Sequence, residues 1–364
     1  MIKYTSGPEP EPSTDPEPLM EFACLGNSIK IYEDGTKVRE WDPEAYGAHK
    51  CLPESIDLKI TGHCEAGCYF CHESSTPKGE HADLKWVENL LARDGFWCGE
   101  LAIGGGDPLS HPDLVKFLDW LRFMTVNNLT VNERNITRLG LTEACYRTGL
   151  IHALIKGGMI NGVGLSLDSH RITSCDVTRS CFESLMSLPN AVVHVIAGIH
   201  EPIRVAGLGP HKLLILGYKD FGFGKRWTKI TDRMIQRMRY FLPSLVDRLH
   251  GVHSDPGSPI LTAFDNLALE QLGVRDMVEP ETWNSRYMGV EGSHTMYLDA
   301  VRQEFAVSST GPRHPCGELS LQEMFTIVRK EAGLTTNIEG WTLDHEQEIT
   351  NVGNSAQDTG AATC

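Results

Sequence analysis

Cys64, Cys68 and Cys71 fall within eight positions, in the run Thr61-Gly62-His63-Cys64-Glu65-Ala66-Gly67-Cys68-Tyr69-Phe70-Cys71-His72. Thiolates this close along a chain can wrap only a compact metal centre, and Gly67 supplies the backbone freedom to turn them inward. Iron–sulfur clusters are normally held by four thiolates. Three would leave one iron without a protein ligand, open to a substrate or cofactor. The same residues also suit a structural zinc, with His63 or His72 completing a Cys3His set. The spacing alone leaves both readings open.

The elements that must hold this loop alternate short apolar runs with amphipathic stretches. Strands are expected over 56–60, 100–103, 128–131, 162–167, 192–196 and 212–216, with helices between them over 84–91, 112–122, 142–150 and 179–188. Strands alternating with helices of this length imply βαβ units and a parallel sheet. Such a sheet is either open and doubly wound or an incomplete barrel. In both, active sites lie in the loops at the carboxyl ends of the strands.

The unusual residues fall in those loops. The cysteine run follows the first strand, and Gly104-Gly105-Gly106-Asp107 follows the second. Glycines there would let backbone approach a ligand closely. Asn132 ends the third strand. At the fourth, Ser166 and Asp168 share one face, as alternate strand residues do, although either could instead cap the next helix. The fifth ends in Ile196-Ala197-Gly198-Ile199-His200-Glu201 and the sixth in Leu216-Gly217-Tyr218.

Cys64, Cys68, Phe70 and Cys71 resemble the signature of the radical SAM superfamily, three cysteines at this spacing with an aromatic residue before the last. The resemblance implies an incomplete (β/α)6 parallel barrel. It also implies one 4Fe–4S cluster on Cys64, Cys68 and Cys71, with S-adenosylmethionine chelated at the open iron. Reductive cleavage to a 5'-deoxyadenosyl radical would follow, the electron coming from a donor such as a flavodoxin or ferredoxin. Gly104, Gly105, Gly106 and Asp107 are similar to the family's Gly-Gly-Glu turn, which holds the methionine amino group, with Asp107 in place of Glu. Asn132 is similar to an Asn-bearing strand end of many members. The resemblance assigns Ser166 and Asp168 to the ribose or methionine end. Ile196, Gly198 and Glu201 match an Ile-x-Gly-x-x-Glu pattern near the adenine, where Leu216 adds backbone contact. The substrate stays open among a peptide, a nucleoside and another small molecule. Two other readings are a zinc-stabilised binding module and a non-catalytic sensor.

The remaining chain is expected to divide as a Pro- and Glu-rich disordered tail (1–20), a hairpin extension around Asp34-Gly35 that covers an edge of the core (21–54), the radical SAM core (55–250), a small α+β C-terminal extension that could face substrate (251–343) and a disordered tail (344–364). In that extension a strand over 260–264 precedes Asp265-Asn266 and a helix over 267–272, and a hairpin is expected over 295–301 and 305–308. Lys225, Arg226, Lys229, Arg233 and Arg237 lie near helical spacing, as a basic stripe opposite Ile230, Met234, Met238 and Phe241. That stripe reads as a solvated helix face, or as an anchor for an anionic substrate group.

With 364 residues, 41% of them hydrophobic, the chain can bury one large core with a smaller appended unit. A net charge of −15 disfavours bulk nucleic acid and anionic membranes as partners. No apolar run reaches the ~18 residues of a membrane span, and no signal core is visible at the N-terminus. Eleven cysteines, clustered and odd in number, point to metal or redox chemistry in a reducing cytosol before disulfides. In that setting the sequons at Asn128 and Asn135 are chance matches. The other eight cysteines show no second clustered spacing, so no auxiliary cluster is expected; Cys316 is the one whose loop could reach a pocket.

Overall fold

The structure is a computed structural model that describes residues 16–41, 51–167, 176–251, 260–280, 283 and 290–334, apart from positions 94, 139, 207, 209 and 211. Asp168, the 344–364 tail and most of the 1–20 tail lie outside the described residues.

Three short strands, β1 (Met20–Cys24), β2 (Asn27–Ile31) and β3 (Lys37–Trp41), pair antiparallel in chain order. Asp34-Gly35 turns β2 into β3, and a second tight turn at Leu25-Gly26 adds β1 to the expected hairpin. Strand and helix then alternate: β4 (Ser55–Thr61), α1 (Leu84–Ala92), β5 (Glu100–Gly105) and α2 (Leu114–Leu121). Next come β6 (Val126–Asn132), α3 (Glu133–Thr137), α4 (Leu141–Lys156), β7 (Gly162–Ser166) and α5 (Asp176–Met186). β8 (Ala191–Ile196), α6 (Pro202–Ala206), β9 (Lys212–Leu216) and α7 (Thr228–Gly251) follow. The chain continues through β10 (Leu261–Phe264), α8 (Asn266–Leu272), β11 (Thr295–Asp299), β12 (Glu304–Ala306), β13 (His314–Pro315) and α9 (Leu321–Glu331).

One sheet holds β4 to β13, in the order β10-β9-β8-β7-β6-β5-β4-β11-β12-β13. From β10 to β11 every neighbour is parallel. The six strands β4 to β9 are therefore consecutive neighbours, and the C-terminal segment adds a further parallel strand at each end. The sheet remains open, as an incomplete barrel does.

Burial follows the period of two that a pleated strand imposes. Ile56, Leu58, Leu101, Ile103, Leu129, Val193 and Ile215 are all within 1% of full burial, packed under the helices with residues such as Leu91, Phe117 and Leu118. The opposite, inner face carries Asp57, Asn128, Thr130, Ser166 and His194, which are half-buried or exposed. In a flat sheet β4 and β9 would stand about 24 Å apart, five spacings of ~4.8 Å. Yet the Phe223 N–H, just beyond β9, donates to the Cys71 carbonyl beyond β4 at 2.9 Å. The sheet is curled, with the polar face inside.

The N-terminal sheet caps the amino ends of the strands rather than an edge. Lys37 ion-pairs with Glu54, just before β4, at 2.9 Å and with Glu100, which begins β5, at 2.6 Å. Arg39 reaches Glu54 at 2.5 Å, and Lys212 at the start of β9 donates to the Asp34 carbonyl. The carboxyl ends are left for the loops described next.

Candidate active site

The loop between β4 and α1 is closed at its stem by backbone bonds. Gly62 N–H donates to Glu80 O at 2.8 Å, Cys64 N–H to Thr76 O at 2.9 Å, and Ala82 N–H to Ile60 O at 2.9 Å. At its tip Gly67 takes φ +65°, a left-handed turn that favours glycine, and Cys71 N–H bonds Cys68 O at 3.2 Å. Local turns thus fold the backbone that carries the three thiols into one short arc. Cys64 is buried, and Cys68 and Cys71 are half-buried.

Two asparagine amides from β6 and α3 meet the sulfurs. Asn135 Nδ2 lies 3.5 Å from Cys64 Sγ, which also accepts the Ala66 N–H at 3.4 Å. Asn132 Nδ2 lies 3.7 Å from Cys68 Sγ. Because Asn132 Oδ1 accepts the Arg134 N–H at 2.9 Å as the cap of α3, its amide nitrogen is the atom that faces sulfur. Burial pushes the Cys64 thiol up, while Asn135 and Ala66 pull the other way.

Three cysteine thiols are donors that either an iron–sulfur cluster or a structural zinc can take. A zinc gathers its ligands around one point, with Zn–S of about 2.3 Å. Among the described residues no three His, Cys, Asp or Glu side chains are grouped in that way. A cluster takes one thiolate per iron, so its ligands need not meet at a point.

The turn after β5 packs directly on the stem of the cysteine loop. A Cβ on Gly105 (φ +114°) would lie 2.4 Å from Thr61 O, and one on Gly106 would lie 2.2 Å from His63 O. Gly106 N–H donates to Thr61 O and Asp107 N–H to His63 O, both at 2.7 Å. These two glycines therefore serve contact between two backbones, and both amides are spent on protein carbonyls. Gly104 is roomier, with Thr130 Cβ at 3.8 Å. Asp107 is 3% exposed and pairs with Arg147 on α4 at 2.6 Å, while its Oδ1 is buried without a hydrogen bond. Burial raises the Asp107 carboxyl pKa and Arg147 opposes it.

Later loops close the rim. Phe70 is buried, with its ring edge-on to His200 at 5.9 Å, and His200 Nδ1 is 2.9 Å from the Ile196 N–H. Gly198 takes φ +78°, and a Cβ there would lie 2.6 Å from Thr231 Cγ2, so the space beside it belongs to α7. Ser166, half-buried, is the register partner of Asn132, and Leu216 is likewise half-buried at the end of β9. Glu201 is exposed and ion-paired with Arg204 at 2.5 Å. On the inner side, Lys59 bridges Glu73 at 2.6 Å and Asp299 at 3.0 Å, and Tyr297 OH donates to Glu73 at 2.9 Å. That clamp fixes the chain two residues beyond Cys71.

No family model matches the chain. It is 22% identical over 175 residues to "Probable GTP 3',8-cyclase" of Methanothermobacter thermautotrophicus, covering 48% of this chain and 51% of that protein. A second match, 24% identical over 268 residues, is to "Protein transport protein SEC61 subunit alpha" of Yarrowia lipolytica, covering 63% and 53%. The chain spans about half the length of these curated relatives. Among the described residues no helix is long and apolar enough to cross a membrane. Among solved structures, SuiB of Streptococcus suis shares the fold with a TM-score of 0.51 at 11% identity, over 84% of this chain and 86% of that one. The chain resembles the radical SAM superfamily.

Of the positions aligned with radical SAM motifs, the structure brings Cys64, Cys68, Phe70, Cys71 and Asn132 together, with Gly105, Gly106 and Asp107 against their stem. It sets Glu201 out in solvent. Asn135, Arg147, His200 and the Lys59–Glu73–Asp299 clamp escaped the sequence reading. Only Asn135 had a usable signal, its i, i+3 spacing from Asn132 at a helix start.

Proposed function

We propose that this chain is a radical SAM enzyme whose single 4Fe–4S cluster is held by Cys64, Cys68 and Cys71. The observation that carries the reading is a three-thiol loop at the carboxyl end of a curled parallel sheet, with two side-chain amides directed at its sulfurs. Bound there, a cluster with one open iron supplies reductive cleavage of S-adenosylmethionine to a 5'-deoxyadenosyl radical, which abstracts hydrogen from a substrate.

The chain's own residues position and shelter that chemistry. Phe70 and His200 wall the loop from one side, and the Gly105–Asp107 turn braces its stem. Ser166, Ile196 and Leu216 stand at neighbouring strand ends, within the reach expected of cofactor contacts. Gly104 offers open backbone beside them. Substrate would lie on the inner face, where Asp57 is solvent-accessible yet ringed by protein. That surrounding raises the Asp57 carboxyl pKa, with Lys219 opposing. His194 on the same face is pushed down to about 4 by burial and is neutral at pH 7. All nine described cysteines are free, in keeping with a reducing compartment such as the cytosol.

Anaerobic reconstitution with iron and sulfide tests the reading. Four irons per chain, and 5'-deoxyadenosine formed on reduction with S-adenosylmethionine, are expected. One tightly held zinc per chain with no cleavage of S-adenosylmethionine would overturn it in favour of the zinc-stabilised module. A cluster that assembles without deoxyadenosine formation would leave only the sensor reading.

A further inference from the structure

The basic stripe of α7, one candidate anchor for an anionic substrate group, lies on the outside of the molecule. Lys225, Arg226, Lys229, Arg233 and Arg237 are all exposed. So are Ile230 (59%), Met234 (38%) and Phe241 (51%), expected from spacing to face the core. The helix buries Thr231, Ile235 and Leu242 instead, and the stripe is a solvated face. Two other cations meet across the mouth of the curled sheet.

Lys219 follows β9 by three residues, and Ser309 and Arg313 lie between β12 and β13. In a flat sheet β9 and β12 would stand about 34 Å apart, seven spacings of ~4.8 Å. The curl brings them together. Lys219 Nζ donates to Ser309 Oγ at 2.7 Å, and Arg313 Nη2 donates to the Ser309 carbonyl at 2.5 Å. The Arg313 guanidinium lies over the Tyr297 ring, 4.2 Å from its centroid. Tyr297 is the register partner of Asp57, so its ring stands on the inner face. Its hydroxyl donates to Glu73, two residues beyond Cys71, which sets the two cations next to the cysteine loop.

Neither cation is neutralised. An ammonium has three N–H donors and a guanidinium five. Among the described residues each gives one hydrogen bond, to Ser309, and no ion pair. Arg313 Nη1 is buried with no hydrogen bond at all, a costly state that a bound acceptor would relieve. The neighbouring acids do not fill the place. Glu73 and Asp299 share Lys59. Burial raises the Asp57 carboxyl pKa and Lys219 lowers it, but the two form no ion pair. Asp57, midway along β4, repels an anion from the floor of the chamber and leaves the pair at its mouth as the place for one. A planar guanidinium beside an ammonium is the combination that recognises carboxylate and phosphate.

We propose that Lys219 and Arg313, held together by Ser309, seat an anionic group of the substrate, which is a small molecule bearing a carboxylate or a phosphate. The proposal deepens the reading of the chain as a radical SAM enzyme and rests on it, because that chemistry is what makes the chamber beside the cysteine loop a substrate site.

The test is calorimetric titration of inorganic phosphate, and separately of acetate, into the iron-free full chain at low chloride. Saturable binding is expected; a preference for phosphate marks a phosphorylated substrate, and a preference for acetate a carboxylic acid. Arg313→Gln and Lys219→Gln should each weaken that binding at least about tenfold, and Lys219→Arg should restore most of it. Lys225→Gln/Lys229→Gln, on the solvated face of α7, should leave it unchanged. Thermal unfolding of each variant checks that the fold is kept, and Lys219→Gln decides should Arg313→Gln fail to fold. Absence of saturable binding of both anions to the wild-type chain, or binding unchanged in both Gln variants, overturns the proposal. So does displacement of the anion by S-adenosylmethionine from the cluster-bearing chain, which would give the seat to the cofactor. Failure of the wild-type chain to form deoxyadenosine strikes the proposed enzyme instead, since the iron-free titration stands apart from it.

Discussion

Replacing Arg147 with Met should destabilise the protein by about 3 kcal/mol and loosen the cysteine loop. Arg147 Nη1 is the ion-pair partner of Asp107 at 2.6 Å, and the Asp107 side chain is 5% exposed. Removing one partner of a buried pair costs about 3–5 kcal/mol, because a charge stays behind without compensation. The low end applies here: Arg147 is 12% exposed and also holds the half-solvated Glu143 at 2.8 Å. Without the guanidinium, burial is opposed only by the weaker effects of the Leu109 N–H and His63, and the folded-state carboxyl pKa of Asp107 rises further. The folded state then holds a proton that the unfolded state releases above its pKa of ~3.9. Stability of the variant is therefore lost as pH rises through that value, and its deficit shrinks on acidification towards pH ~4. Asp107→Asn in the same background removes the stranded charge and should restore all but about 1 kcal/mol. Urea unfolding of the four proteins across pH measures the cycle, and iron retention reports the loop, since Asp107 N–H bonds His63 O. A loss below about 1 kcal/mol, the worth of a surface pair, or no rescue by Asp107→Asn, would refute the argument.

Further outcomes can be checked. Cys64→Ala, Cys68→Ala and Cys71→Ala should each abolish both iron binding and deoxyadenosine formation, whereas Cys316→Ala should keep full iron stoichiometry. Cys316 is wholly buried with its thiol pushed up to about 12, so it should resist alkylation until the protein unfolds. Asn135→Asp keeps the shape but removes an N–H donor from Cys64 Sγ; in an electrochemical titration the cluster potential should fall by about 59 mV or more, a tenfold change in a one-electron ratio. Gly106→Ala would push a methyl into His63 O, and a loss of about 1–3 kcal/mol is expected from urea unfolding. Glu54 is fully buried; burial would raise its pKa, but Lys37 and Arg39 together outweigh it and hold it low. Its stabilisation is present above the unfolded pKa of ~4.3 and lost as pH falls through the folded value, so Glu54→Gln should flatten acid unfolding below pH ~4.

Strand and loop order were legible because they are local. Each of β4 to β9 announces itself as a short apolar run, and the cysteine loop, the glycine turn and Asn132 sit at strand ends whatever the curvature. What glycine does in those turns was not legible. Gly105 and Gly106 read as room for a ligand, yet their missing side chains make way for Thr61 and His63, which lie some forty residues earlier. Gly198 likewise gives its space to Thr231 on α7.

Residue type and short-range spacing determined the chemistry on offer: three thiols on one arc, and an alternation that can only build a parallel sheet. Tertiary structure decided what faces that arc. Asn135 meets Cys64 across 71 positions and Asp299 reaches Lys59 across 240, because β11 pairs with β4 and the sheet curls. Such neighbours are set by which strands pair and how the sheet bends, and neither quantity is written in any single stretch of chain.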